Sequence, residues 1–383
     1  MNIVHIGLTG PYTENMAYQD NMLPKYNALD GHNVTYLATQ RRWINGVERN
    51  TKPTEPLDYV LEDTVRVIRL PFVRIFNKFI TDKVRLVSGI DSILQELAPD
   101  IILVHGPQTL SLLDIVKYKR ENQRVKLYID SHSDANNTAN NLISFWILHK
   151  IFYRLIVRKC ITYIDKWFYL SYEARDFLIK MYKVPIGAME FYPLGGTIFA
   201  NFERDSKRNK TRESLGLEKD HILFLHSGKM DRFKRTTDIL EAFKRVRSSN
   251  VRLVLIGTMT DDVKEIAEPL INSDPRVSFI GWKTADELMD YLCAADVYVQ
   301  PGSQSATMQN AICCGCAVVL YPHKSHEAYL RGNGYYIESV DDMESIFQEI
   351  DNDPSLLEPM RDNSLRLARD ILDYGKLARR LYV

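Results

Sequence analysis

The run His221-Ile222-Leu223-Phe224-Leu225-His226-Ser227-Gly228-Lys229-Met230-Asp231-Arg232-Phe233-Lys234-Arg235 changes character halfway along. Residues 221–226 are nearly continuous in apolar side chains, as a parallel strand covered on both faces must be. A glycine turn, a basic cluster and a helix predicted over 237–247 follow. Toward the carboxyl terminus the motif recurs, with strands expected at 251–257, 277–281, 296–300 and 317–321 and a helix at 285–294. Toward the amino terminus, strands are expected at 2–8, 33–38, 65–70, 100–105, 125–130 and 166–171. Helical stretches separate them in the twenty residues after 13, near 84–98, over 140–165 and from about 173. Such alternation is the mark of doubly wound α/β domains with largely parallel sheets.

The chain has 383 residues, 45% of them hydrophobic and 26% charged, which suits two domains with full cores and excludes disordered or collagen-like chains. Residues 195–215 carry the charged run 203–210 without apolar periodicity and read as an exposed connector. The domains expected are 1–200, 201–360 and a carboxyl-terminal helix over 361–383. Lys and Arg (49) balance Asp and Glu (49), so no overall field draws the protein to nucleic acid. The balance conceals a net +4 over residues 1–200 and −4 over 201–383. Five cysteines, no signal peptide and no 18-residue uncharged apolar run point to a reducing, cytoplasmic setting. Cys313-Cys314-Gly315-Cys316 reads as small buried helix residues rather than a metal site, since adjacent cysteines do not converge on one ion.

In such sheets ligands bind beyond the carboxyl ends of the strands. Pro301-Gly302-Ser303-Gln304-Ser305-Ala306-Thr307 follows a strand and opens a helix, whose unpaired N–H groups and positive end suit phosphate. Ser303, Ser305 and Thr307 add hydroxyl donors; an ordinary serine-capped helix explains the same letters. Lys229 and Lys234 stand where cations would neutralise a diphosphate, or else belong to a solvated loop.

In order, these segments resemble the retaining glycosyltransferases of family 4. The resemblance runs from the opening strand and Gly10 through Gly228-Lys229, Lys234, Gly257, Gly281-Trp282 and Ala294-Ala295-Asp296-Val297 to 311–319 and Asn333-Gly334. It implies the GT-B fold, two Rossmann-like domains facing a cleft, and transfer of a sugar from a nucleotide diphosphate sugar, expected to be a UDP-sugar. The acceptor is a hydroxyl, the anomeric configuration is retained, and neither metal nor resident cofactor is needed. By resemblance Lys229 and Lys234 hold the donor diphosphate, with Gly10 facing it, and Gly257 and Trp282 line the base pocket. His132, in Asp130-Ser131-His132-Ser133-Asp134, contacts the donor sugar. Family members commonly carry Glu-x7-Glu, but here Gly302 and Asn310 occupy those positions. Asn310 retains an amide for the ribose, and Gln304 or Ser305 can replace the sugar contact. Tyr18 and Gln19 are candidates for substrate contact.

The loss of both carboxylates keeps open a catalytically silent subunit that binds nucleotide sugar or a partner transferase. A nucleotide-sugar epimerase on the same fold is a further alternative. Residues 141–159 and 74–79 mix bulky apolar and basic side chains. They read equally as helices lying in an anionic membrane interface and as core helices with snorkelling Lys and Arg. On the first reading the protein sits peripherally on the inner membrane face and the acceptor is a lipid-linked or cell-envelope glycan intermediate.

Overall fold

A computed structural model describes residues 1–16, 18–44, 47–50, 57–62, 64–134, 138 and 144–383. The chain divides into two compact units, Met1–Pro193 with Tyr374–Val383, and Leu194–Asp373.

The first unit contains β1 (Asn2–Gly7), β2 (Asn33–Thr39), β3 (Arg41–Ile44), β4 (Val47–Asn50), β5 (Asp58–Val60), β6 (Arg66–Leu70), β7 (Ile101–His105), β8 (Lys126–Ser131), β9 (Lys166–Tyr169) and β10 (Met189–Phe191). Its eight-stranded sheet runs β10-β9-β8-β7-β1-β2-β6-β5 and is parallel except for the β5–β6 pair, while β3 and β4 form a separate antiparallel ribbon. Val4, Ile6, Ile102 and Val104 pack into the core on one face, and Ile3, Tyr36, Ile101 and Leu103 into that on the other. The second unit holds β11 (Ile222–Met230), β12 (Val251–Met259), β13 (Val277–Phe279), β14 (Val297–Gln300), β15 (Ala317–Leu320) and β16 (Gly334–Tyr336). Its wholly parallel order is β13-β12-β11-β14-β15-β16. Numbered within its unit, the second sheet follows the doubly wound order 3-2-1-4-5-6, and the first, once its antiparallel edge strand β5 is set aside, follows 3-2-1-4-5-6-7; the direction reverses between β1 and β7 and between β11 and β14. Those two points are where ligand-binding loops collect.

Several expectations are corrected. The presumed connector contains a helix, Asn201–Ser214. Its charges are its packing groups: Arg208 and Arg212 pair with Asp296 at 2.6 and 3.1 Å, and Arg208 also donates to the carbonyl of Ala294 at 2.9 Å. These contacts fasten it to the end of helix Ala285–Ala294 without an apolar stripe. The carboxyl-terminal stretch is not one helix. Helix Leu357–Leu367 and a π-helical turn end at Asp373, whose backbone is extended, and helix Tyr374–Arg379 then packs on the first unit. The division therefore falls at 193/194 and 373/374, where 200 and 361 were expected. The first long helix is shorter than expected, Gln19–Leu29.

Of the helical region 140–165, residues 140–143 lie outside the described residues. The rest is a π-helical run Ser144–Tyr153 continued by helix Arg154–Cys160. It has two faces. Tyr153, Ile156, Val157 and Cys160 are buried, whereas Trp146, Ile147, Ile151 and Leu155 are each at least half exposed. The core reading accounts for the first face but leaves the second unexplained. All five cysteines are free and buried, as expected of packing residues.

Asp296 carries the attachment of helix Asn201–Ser214, and its side chain is 13% exposed. Removing one member of a buried pair strands the other charge at about 3 kcal/mol or more. Asp296→Ala should accordingly lower the urea midpoint with little change in slope, and an unaltered midpoint would show the ion pairs to be dispensable.

Candidate functional site

In the second unit the turns that follow β11 and β14 are sewn together. The Asp231 carboxylate accepts from the backbone N–H groups of Phe233 (3.0 Å) and Lys234 (3.2 Å) and so shapes the first turn. Ser303 N–H donates to the Phe233 carbonyl at 2.8 Å. Lys234 is only 8% exposed, and its ammonium donates to the carbonyls of Ser303 (2.9 Å) and Gln304 (3.1 Å). Arg235, in the left-handed region at φ 56°, donates to the Pro301 carbonyl at 3.1 Å. Burial pushes the Lys234 pKa down, partly offset by Asp231. An ammonium has three donors, and two are committed to these carbonyls.

This packing explains the residue at 302. A Cβ on Gly302 would lie 2.0 Å from the Phe233 carbonyl oxygen, so the position cannot carry a carboxylate side chain on this backbone. A similar closeness joins β11 to β12, where a Cβ on Gly257 (φ 139°) would lie 1.9 Å from the Gly228 carbonyl oxygen.

The expected residues separate into groups. Gly228, Lys234, Ser303, Gln304 and Ser305 belong to the two joined turns or the strand end that enters them, and Thr307 opens the helix that follows. Ser305 Oγ accepts from the N–H of Thr307, the first residue of helix Thr307–Cys313, at 3.3 Å. Lys229 lies exposed on β11 beside them. Trp282 is 71% exposed beyond β13, after Gly281, whose carbonyl accepts from Gly257 N–H at 2.9 Å. Asn310 is occupied: its Oδ1 accepts from Thr197 N–H at 3.1 Å.

In the first unit the loops after β1 and β7 meet, with Thr9 Oγ1 donating to the His105 carbonyl at 3.0 Å. Gly10 is exposed, and a Cβ there would meet no protein atom within 4 Å, so the fold itself does not demand glycine. Beneath these loops runs a buried polar chain. Asp130 Oδ2 lies 2.7 Å from His105 Nδ1, His105 Nε2 lies 3.1 Å from His5 Nδ1, and His5 Nε2 lies 2.9 Å from Asn27 Oδ1. His132, with its side chain 41% exposed, approaches Asp130 at 3.5 Å and Asp20 at 3.9 Å.

Removal from water works against the charged form of His105, but Asp130 and then Asp20 outweigh it and raise its pKa to about 9. His5 goes the other way, to about 3, through burial and the charge on His105. Burial disfavours the Asp130 carboxylate, yet His105 and His132 hold it well below the ordinary range. His132 is likewise held above its ordinary value, desolvation being overcome by Asp130.

Asp20, His105 and His132 each place a ligand atom within 4.8 Å of the others, a spacing compatible with one cation, although His105 Nδ1 is already engaged by Asp130. Asp20 is the residue that sequence reasoning missed, for it chose Tyr18 and Gln19 beside it. Tyr18 is 63% exposed, and Gln19 is buried. The signal for the chain was a histidine inside each of two apolar strands, at His5 and His105.

Residues 221–352 match a family model described as "Glycosyl transferases group 1". No curated protein matches the sequence. Among solved structures, the chain resembles a sucrose-phosphate synthase from Thermosynechococcus elongatus at 16% identity and a TM-score of 0.67, covering 99% of this chain and 96% of that one. Anabaena HepE, solved in complex with UDP, is 13% identical with a TM-score of 0.67, covering 99% and 98%. WaaG, a glycosyltransferase involved in lipopolysaccharide biosynthesis, is 16% identical with a TM-score of 0.63, covering 99% of each chain. These likenesses establish the fold, which is that of the GT-B glycosyltransferases.

The histidine chain has a signature in pH. His105, with its pKa raised from 6.5 to about 9, binds a proton in the folded state that the unfolded chain releases, so stability declines as pH climbs through that window. His132 adds in the same direction. On the acid side Asp130 and His5, both lowered, lose their contribution as pH falls. His105→Gln should flatten the alkaline limb of urea stability between about pH 6.5 and 9. An alkaline limb identical to the parent's would show His105 to be neutral in the fold.

Proposed function

We propose that the protein is a retaining glycosyltransferase that moves a sugar from a nucleotide diphosphate sugar, a UDP-sugar by this reading, to an acceptor hydroxyl. The observation that carries the proposal is the joining of the turns 231–235 and 301–305 at the switch point of the second sheet, with the Lys234 ammonium buried between them. The family match covers both turns. HepE, of the same fold, was solved with UDP, which supports UDP as the nucleotide.

In this mechanism the bond between the anomeric carbon and the β-phosphate oxygen breaks, and negative charge grows on the departing diphosphate. Lys229 and the remaining Lys234 proton neutralise that charge, the largest contribution such a site makes. The acceptor oxygen enters on the face the diphosphate leaves, and its proton passes to a phosphate oxygen. No metal is required where ammonium groups fill that role. His132, oriented by Asp130, bonds a sugar hydroxyl. Gly257 and Trp282 border the base. With Gly302 bare, Gln304 and Ser305 take the donor sugar contact, and Asn310 reaches the ribose through its amide nitrogen while Oδ1 stays on Thr197.

A second reading, a silent subunit, draws on the missing carboxylates at Gly302 and Asn310. UDP affinity without turnover of any UDP-sugar over a broad acceptor panel would favour it. Free epimer formed without acceptor would instead indicate an epimerase. On the leading reading, Lys234→Ala lowers kcat by about 10²–10³, the loss typical of one oxyanion donor. Lys229→Ala, at an exposed position, falls in the same direction without disturbing the turns. Unchanged turnover in both would remove the cations from the chemistry.

The exposed face of residues 144–160 supports an acceptor drawn from a membrane. No helix among the described residues is long and apolar enough to cross one. Trp146, Ile147, Ile151 and Leu155 stand out beside the exposed Arg158 and Lys159, and the Lys150 ammonium sits 3.6 Å from the Trp146 ring centre. Aromatic and basic side chains together suit an anionic interface. The protein should float with phosphatidylglycerol vesicles and lose that property in Trp146→Ser/Ile151→Ser. Retention in the sedimented fraction by the parent protein would refute membrane contact.

A further inference from the structure

The first unit contains a cavity of about 870 Å³, within the range of roughly 300–1,000 Å³ that encloses small ligands. It lies between the short helix Lys78–Val84 and the run 144–153. Phe79, Val84, Leu148 and Phe152 give it an apolar wall. Two cations, Lys83 and Arg85, line it as well. Arg85 is fixed in place, being in the left-handed region at φ 54° with its guanidinium donating to the Gln108 carbonyl at 3.2 Å. After burial itself, the charges of Arg85 and Lys83 lower the pKa of the neighbouring buried His149, to about 4, so no nearby imidazolium competes with them.

Thr9 and Ser133 in the cavity lining are the chain neighbours of Gly10 and His132. Ile147 and Phe79, also in the lining, are 59% and 69% exposed, and Ile147 adjoins Trp146 of the outward apolar face. A ligand that fills such a space has an apolar chain directed to the exposed face and an anionic group on the cations. The end that carries the accepting hydroxyl lies toward Thr9 and Ser133.

We propose that this cavity takes a lipid-linked acceptor, a single apolar chain joined through a phosphate or diphosphate to the group whose hydroxyl accepts the sugar, with Lys83 and Arg85 on the phosphate and Phe79, Val84, Leu148 and Phe152 around the chain. The inference rests on the transferase reading and names its acceptor class. A free sugar acceptor has no group to occupy the apolar wall. An uncharged lipid has none for the two cations.

Titration calorimetry with decyl phosphate, decyl alcohol and inorganic phosphate, each below its aggregation limit, tests the proposal without turnover. Decyl phosphate should bind at least about tenfold tighter than decyl alcohol, the margin of one charge-assisted hydrogen bond, and inorganic phosphate should give no heat. Lys83→Ala, at an exposed position, should weaken decyl phosphate while leaving the alcohol unchanged. Leu148→Trp, which narrows the apolar part of the cavity, should weaken both. Equal affinity for phosphate and alcohol, or binding indifferent to Leu148→Trp, overturns the proposal. UDP titrated into the same samples separates the two readings. Decyl phosphate binding without UDP binding defeats the donor assignment alone, and UDP binding without decyl phosphate binding defeats the acceptor assignment alone.

Discussion

Between the Phe233 carbonyl and the Gly302 α-carbon there is no room for a methyl group. The second unit is organised around that closeness. Because the backbones touch, Ser303 can donate to Phe233, the Lys234 side chain can reach two carbonyls of the opposite turn, and Arg235 can bond Pro301. The ammonium is thereby held at the sheet's switch point by the fold itself, the preorganisation that the proposed transfer would call for. The same contact leaves no room for a side chain at position 302 on this backbone.

The first unit solves a different problem, placing charge within a sheet. His5 and His105 replace apolar residues in adjacent strands, and neither could be buried without partners. Their answer is a chain in which Asp130 is anionic, His105 cationic and His5 neutral, ending on Asn27. Asn27 also donates to the Ala378 carbonyl at 3.3 Å, within the returning helix Tyr374–Arg379. One polar path therefore connects the carboxyl ends of β7 and β8 with the segment that closes this unit, and His132 lies 3.5 Å from its Asp130 end.

The alternation of strand and helix was legible because parallel strands buried on both faces are apolar over their whole length, and the order of the long strands followed from it. Three-residue strands such as β5, β10, β13 and β16 carry too few side chains to establish a period, and of these only β13 was anticipated, from Val277-Ser278-Phe279. Helix Asn201–Ser214 escaped because ion pairs and carbonyl contacts, not apolar residues, form its packing face. The break at Asp373 was hidden by an apolar stripe that continues across it while the two halves serve different units. At the site, residue types and order located the turns, but not which atoms were already occupied. Asn310 looked available until Thr197 was found on its oxygen, and Asp20 was overlooked because helical phase alone does not say which of three successive side chains turns toward His132.

Charge divides the work between the units. The second half of the chain is net −4, so an anionic donor gains nothing from its average field. Beyond a Debye length of about 8 Å that field is screened in any case, whereas a buried ammonium within hydrogen-bond reach is not. Under the proposed function, donor binding rests on the few charges held by the joined turns. The first half is net +4, with eight basic against three acidic residues over 145–183, beside the exposed Trp146 and Ile151. A diffuse surplus of that kind is poor at recognising one phosphate but effective against an extended anionic surface, where many weak attractions add. Precision in the second unit and breadth in the first are what a soluble anionic donor and a membrane-held acceptor would separately require.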